Sequence, residues 1–170
     1  MSGVRILGIG SPSGDDQAGW LTVDALLAGG VPPPAEGILI EKLDRPGTHL
    51  ISLLDDAAWV ILIDAMHSHD AIGRIRQFGA EDWPAYRHGL SSHGFGVLDA
   101  LALARELGSL PCRLDLYGIE IGPANPGEPA GNEIHAAAQQ LARHIAADLG
   151  AALAQARSGH PTHSRRLAIE

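Results

Sequence analysis

The chain has 170 residues, 45% of them apolar, and a formal net charge of −8; that supports one core of ordinary domain size and disfavours a phosphate backbone as partner. Its single cysteine, Cys112, excludes a disulfide framework and a cysteine-built zinc site within one chain. No stretch reaches the roughly 18 apolar residues of a membrane span, and no basic, apolar leader is visible. The expectation is a soluble protein of the reducing cytoplasm that partners neither nucleic acid nor membrane. Aromatics are scarce at 4% while Ala, Leu and Gly are plentiful, a mix that suits helices packed on a sheet.

In chain order, the apolar run from Val4 to Ile9 predicts a short buried strand. A helix is expected from about Asp16 to Leu27, stopped by Gly29-Gly30 and followed by the rigid connector Val31-Pro32-Pro33-Pro34. GILIEKL, from Gly37 to Leu43, predicts a second strand, and Gly47 to Asp55 a short helix. Trp59-Val60-Ile61-Leu62-Ile63 is a continuous apolar run, the mark of a strand covered on both faces, with Asp64 at its carboxyl end. Gly73 to Phe78 alternates as an edge strand does, and Glu81 to Leu90 predicts a loop.

Ser91-Ser92-His93 leads into a helix over Phe95–Leu107, and RLDLYGIEI, from Arg113 to Ile121, predicts a fifth strand. A Pro/Gly loop spans Gly122 to Gly131. Asn132 suits the N-cap of a long Ala-rich helix from Glu133 to about Ala154. Strands alternating with helices predict a single-domain three-layer α/β/α sandwich with a twisted, mostly parallel five-stranded sheet. That domain is expected over residues 1–155, with 156–170 as a mobile tail.

In open α/β sheets functional groups gather at the carboxyl ends of strands. The loop GIGSPSGDDQAGW, Gly8 to Trp20, and Asp64 fall there. If the segment carrying His93 joins them, Asp16, Asp64 and His93 form a carboxylate–carboxylate–imidazole cluster. A dinucleotide loop is the competing use of Gly8, Gly10 and Gly14. The spacing is GxGxxxG rather than GxGxxG, and Asp15-Asp16 would repel a phosphate at the helix N-terminus. The acid pair favours a cation, or caps the helix at a gain of ~1 kcal/mol. Asp64, following the most buried strand, needs a partner.

His67 and His69 suit a solvated turn, and Cys112 a small core position. Trp20, Trp83 and Tyr86 are candidate contact residues for a partner, Trp20 equally a core residue. There is no GxSxG nucleophile elbow and no HExxH zinc helix.

GIGSPSGDDQAG, the strand ending in Asp64-Ala65, and SSHGFGVLDAL together resemble the three signatures of the [NiFe]-hydrogenase maturation proteases, over about residues 4 to 150. The resemblance implies an endopeptidase that removes the C-terminal extension of a hydrogenase large-subunit precursor. It also implies Asp16, Asp64 and His93 as metal-binding and catalytic residues. Nickel would arrive with the precursor, and other divalent ions could substitute. Gly10, Asp15, Asp44, Gly47 and Ser92 would line the substrate cleft, Asp44 and Gly47 through the turn LDRPG. The chain departs from the family in carrying Ser11 where Asn is common, in a Gly10–Asp15 loop one residue short, and in Asp rather than Glu at position 16. Two other functions fit the residues: a metal-binding chaperone module that does not cut, and a nucleotide-binding enzyme using the glycine loop.

Overall fold

Four parallel strands and one antiparallel edge strand build an open sheet in the order β2-β1-β3-β5-β4. The strands are β1 (Val4–Gly10), β2 (Ile38–Asp44), β3 (Trp59–Met66), β4 (Ile75–Phe78) and β5 (Arg113–Glu120). The helices are α1 (Ala18–Ala28), α2 (His49–Leu54), α3 (Val97–Glu106) and α4 (Asn132–Ser158); a 3-10 turn, Gly14–Gln17, precedes α1. The computed structural model describes residues 3–31, 37–79, 82 and 96–159.

Alternation along the strands sorts the core into two layers. Ile6, Ile61, Ile63 and Ile119 face α1 and α4, meeting Leu26, Ile134 and Leu141. Leu7, Leu62, Met66 and Leu116 face α2 and α3, meeting Leu50, Leu54 and Leu101. All eight residues of β3 are buried, which is why its sequence is apolar without a break. The three-layer α/β sandwich expected from the sequence is the observed architecture.

Several local expectations are corrected. β3 does not end at Asp64 but runs to Met66, pairing Ala65 with Ile119 and Met66 with Glu120. Asn132 is the first residue of α4 rather than its cap; Gly131 caps it, and Asn132 is exposed. The helix continues to Ser158, past its expected end near Ala154; residues 160–170 lie outside the described residues. Cys112 is exposed rather than in the core, because it sits in the turn before β5 and not in the strand. The loop expected over Glu81–Leu90 lies outside the described residues, Asp82 apart.

The glycines near the first strand serve close packing. The first turn of α1 rests on the carboxyl ends of β1 and β3. A Cβ at Gly19 would sit 2.6 Å from the carbonyl oxygen of Ile63 and closer still to that of Ile9. Gly19→Ala therefore forces helix and sheet apart. It is expected to lower stability by about 2–3 kcal/mol in urea unfolding; an unchanged midpoint would mean that α1 can slide.

Candidate active site

After β1 the chain turns to α1 on one face, and it returns from β2 to β3 through α2 on the other face. Strand order therefore reverses between β1 and β3, the position at which open α/β sheets form their crevice beyond the carboxyl ends of the strands. The 3-10 turn roofs β1 there. The backbone oxygen of Asp16 accepts the Ser11 N–H at 3.4 Å, and a Cβ on Gly10 would lie 2.6 Å from that oxygen. The hydroxyl of buried Ser11 donates to Oδ2 of Asp16 and sets the rotation of its carboxylate.

Asp64 occupies the neighbouring strand, one residue past the Gly8–Ile63 pair. It is only 2% exposed, and its Oδ1 accepts the N–H of Ala65 at 2.9 Å. By alternation its side chain shares the face of Leu62 and Met66, the face covered by α3. Because Gly19 rests on the peptides of Ile9 and Ile63 together, it fixes the turn bearing Asp16 against the strand bearing Asp64. His93, the expected third donor, and Ser92 lie outside the described residues, a few positions ahead of α3. Among the described residues no group of three His, Cys, Asp or Glu side chains is arranged to hold a metal ion. Two of the three expected donors, the carboxylates of Asp16 and Asp64, are thus described, in the turn after β1 and in β3.

Asp15, although adjacent to Asp16, has a separate task. Its Oδ2 accepts the Gly122 N–H at 3.0 Å and its Oδ1 the Gly131 N–H at 2.8 Å. It therefore ties the glycine loop to both ends of the β5–α4 loop and places a negative charge at the N-terminus of α4. Neither acid caps α1: the caps are Ser13 for the 3-10 turn and Gln17 for the helix, and neither makes a side-chain cap bond. The same junction is sewn by Gly14 N–H to the Glu128 carbonyl at 3.0 Å and a bridge between Ser13 and Pro126.

The rim beside Asp16 is the turn after β2. Gly10 pairs in register with Asp44, and the Arg45 N–H donates to the Gly10 carbonyl at 3.2 Å. Arg45 Nε donates to Asp44 Oδ1 at 2.7 Å. That bonded carboxylate raises the Arg45 pKa above its usual value, and the charge of Asp16 adds to the effect. Gly47 follows at φ 54°, a left-handed turn that glycine adopts without strain.

Sequence reasoning overlooked Glu120, the last residue of β5. It is 3% exposed and accepts the Ser68 N–H at 2.9 and 3.0 Å and the Ser68 hydroxyl at 2.7 Å, pinning the loop after β3. It ends an alternating strand, RLDLYGIE, where an acid breaks no pattern, whereas Asp64 interrupts an unbroken apolar run. Ser11 and Arg45 were likewise not assigned a role. Trp20 is a packing residue: its indole donates to the Leu43 carbonyl at 3.0 Å. His67 and His69 are exposed loop residues, as expected, and Trp83 and Tyr86 lie outside the described residues.

Two further polar clusters belong to the scaffold. Asp115 accepts from the Trp59 indole at 2.6 Å, Arg113 at 3.0 Å and Gln77 at 3.1 Å, near the amino ends of β3 and β5. Tyr117 meets His144 at 3.3 Å under α4, and burial pushes its hydroxyl pKa well above the ordinary range.

Asp15→Ala leaves the N–H groups of Gly122 and Gly131 without their acceptor. It is expected to cost about 2–4 kcal/mol in urea unfolding, with Asp15→Asn, which keeps one good acceptor, intermediate. Equal stability of all three proteins would show that the latch carries no energy.

The sequence model of the hydrogenase maturation protease family, HycI, matches residues 46–147. Asp64 and His93 fall inside that stretch; Gly10, Asp15, Asp16 and Asp44 precede it. No curated protein matches the chain. Among solved structures the chain is similar to the hydrogenase maturating endopeptidase HybD from E. coli, at 22% identity and a TM-score of 0.74, over 88% of this chain and 93% of that one. It is also similar to the [NiFe] hydrogenase maturation protease HybD from Thermococcus kodakarensis, at 24% identity and a TM-score of 0.65, over 86% and 98%. A third is the [NiFe] hydrogenase maturation protease HycI from Thermococcus kodakarensis KOD1, at 21% identity and a TM-score of 0.62, over 85% and 90%. At these identities the likeness is one of fold.

Proposed function

The chain belongs to the hydrogenase maturation protease family and is a hydrolase of the endopeptidase type, and from that premise we propose that it removes the C-terminal extension of a nickel-loaded [NiFe]-hydrogenase large-subunit precursor. What supports this reading is that Asp16, in the 3-10 turn after β1, and Asp64, near the carboxyl end of the adjacent strand β3, each accept a hydrogen bond from the chain that orients the carboxylate. The proposed metal contacts are Asp16, Asp64 and His93. The nickel is cargo of the substrate, and two carboxylates with one imidazole suit a borderline divalent ion while leaving positions on it for the precursor's own groups.

In the proposed reaction the bound metal holds the precursor so that its scissile peptide lies over the crevice. A carboxylate, Asp16 or Asp64, takes a proton from water as the water oxygen bonds to the peptide carbon. The C–N bond then breaks, and the proton passes to the departing amine. Gly10, Asp44, Gly47 and Ser92 are the proposed lining of the substrate path, while Asp15 supports it from behind through its latch on the β5–α4 loop.

The glycine loop needs no phosphate to explain it. Gly8, Gly10 and Gly19 each sit against backbone or side-chain atoms of the protein itself. Among the described residues no helix is long and apolar enough to cross a membrane. The proposed compartment is the cytoplasm, in keeping with a lone exposed thiol at Cys112.

Incubating the nickel-loaded precursor with the protein should release one C-terminal peptide, read by mass spectrometry. Asp16→Ala, Asp64→Asn and His93→Ala should each lower kcat/KM by about 10²-fold or more while leaving a cooperative thermal transition. Full activity in all three variants would remove the proposal. A stable complex with uncut precursor would favour the non-cleaving chaperone instead. In a thermal-shift series, nickel or cadmium should raise the melting temperature of the wild type and not of Asp16→Ala/Asp64→Asn, and dinucleotides should leave both unchanged. A dinucleotide shift without a metal shift would reverse the assignment.

A further inference from the structure

Arg45 has a conformation its side chain does not favour. Its φ is 42°, in the left-handed region where a Cβ is strained, and Pro46 follows, which biases the preceding residue toward extended backbone. Glycine would occupy this position without strain. The backbone is nevertheless fixed there by the bond from the Arg45 N–H to the Gly10 carbonyl, at the edge of the crevice. Strain retained beside a functional cleft points to a use for the side chain.

That side chain is 63% exposed and spends one donor, Nε, on Asp44. Its Nη1 and Nη2 groups make no hydrogen bond to any described residue. The other cations described near this end of the sheet are engaged elsewhere: Lys42 pairs with Asp24 at 2.8 Å, and Arg74 and Arg76 pair with Asp70 at 3.2 and 2.6 Å. Arg45 thus presents a planar, permanently charged fork beside a site whose described side chains include the acids Asp16, Asp44 and Asp64. A guanidinium with two free edge donors is built for a carboxylate, which it binds through paired hydrogen bonds.

We propose that Arg45 is a specificity-determining residue: its free Nη groups bind a carboxylate on the precursor's C-terminal extension, either an acidic side chain or the α-carboxylate. The inference rests on the processing reading above. Arg45 takes no part in the bond-breaking step; it selects and orients the extension as that segment leaves the crevice past the β2 turn.

The test compares wild type, Arg45→Gly and Arg45→Lys on the nickel-loaded large-subunit precursor from the same genome. Two altered precursors accompany it. One has the acidic residues of the extension changed to amides; the other has a Gly-Ser segment added at its end to displace the α-carboxylate. Both affinity and cleavage are measured. Arg45→Gly should weaken binding and raise KM by about tenfold with kcat within twofold. Its melting temperature should hold or rise, because the backbone strain is relieved. Arg45→Lys, which keeps charge and loses the fork, should recover part of the affinity.

One altered precursor should raise the wild-type KM by the same factor and erase the difference between wild type and Arg45→Gly, and which one does so names the source of the carboxylate. Equal affinity of wild type and Arg45→Gly overturns the role of Arg45, as does a difference that persists on both altered precursors. If wild type binds without cutting and Arg45→Gly binds tenfold more weakly, the carboxylate role stands and the processing reading falls.

Discussion

The bare Cα of Gly19 is the contact on which the site's geometry depends. A helix start can approach two parallel strands this closely only where no side chain intervenes, and here the first turn of α1 lies against the carbonyls of Ile9 and Ile63 together. The contact sets the height of α1 over the sheet, and with it the position of the 3-10 turn that delivers Asp16. Asp64 needs no such device, since it is part of β3, the strand buried along its whole length. Crevice and acids are thus defined by main-chain packing, which is stiffer than any side-chain contact.

Two adjacent aspartates in one loop have different partners. Asp15 faces backward, its charge held by two N–H groups and by the N-terminal end of the 27-residue helix α4. Asp16 accepts the Ser11 hydroxyl, its one hydrogen bond from a described side chain. A neutral hydroxyl orients a carboxylate without cancelling its charge, which suits the cation contact proposed for Asp16. The shortened loop is compatible with this arrangement because Ser11 reaches Asp16 both through its N–H and through its side chain.

Much of the fold was legible because burial leaves periodic marks. The unbroken apolar run of β3, the alternation of β4 and β5, and the Gly and Pro punctuation each reflect which faces meet water. Elements ran long or short where the marks end: Ala65 and Met66 continue β3 although Asp64 interrupts its apolar run, and Cys112 looks like a core residue but lies one place outside its strand. Asp64 could be singled out because a charge inside a buried strand contradicts local chemistry. The role of Asp15 could not, since its partners lie 107 and 116 residues away and are peptide groups that carry no residue identity. Asn132 has the right chemistry for a cap and was displaced by Gly131, whose N–H turns to Asp15. Arg45 stayed hidden because backbone strain is invisible in composition, and Glu120 because its partner is a loop serine.

The latch from Asp15 to Gly122 and Gly131 also joins remote parts of the chain: its partners lie 107 and 116 residues away in sequence. Contacts of such separation cost loop-closure entropy that no local turn repays. The backstop behind the glycine loop is therefore a property of the assembled sheet and of α4, and not of the loop's own sequence.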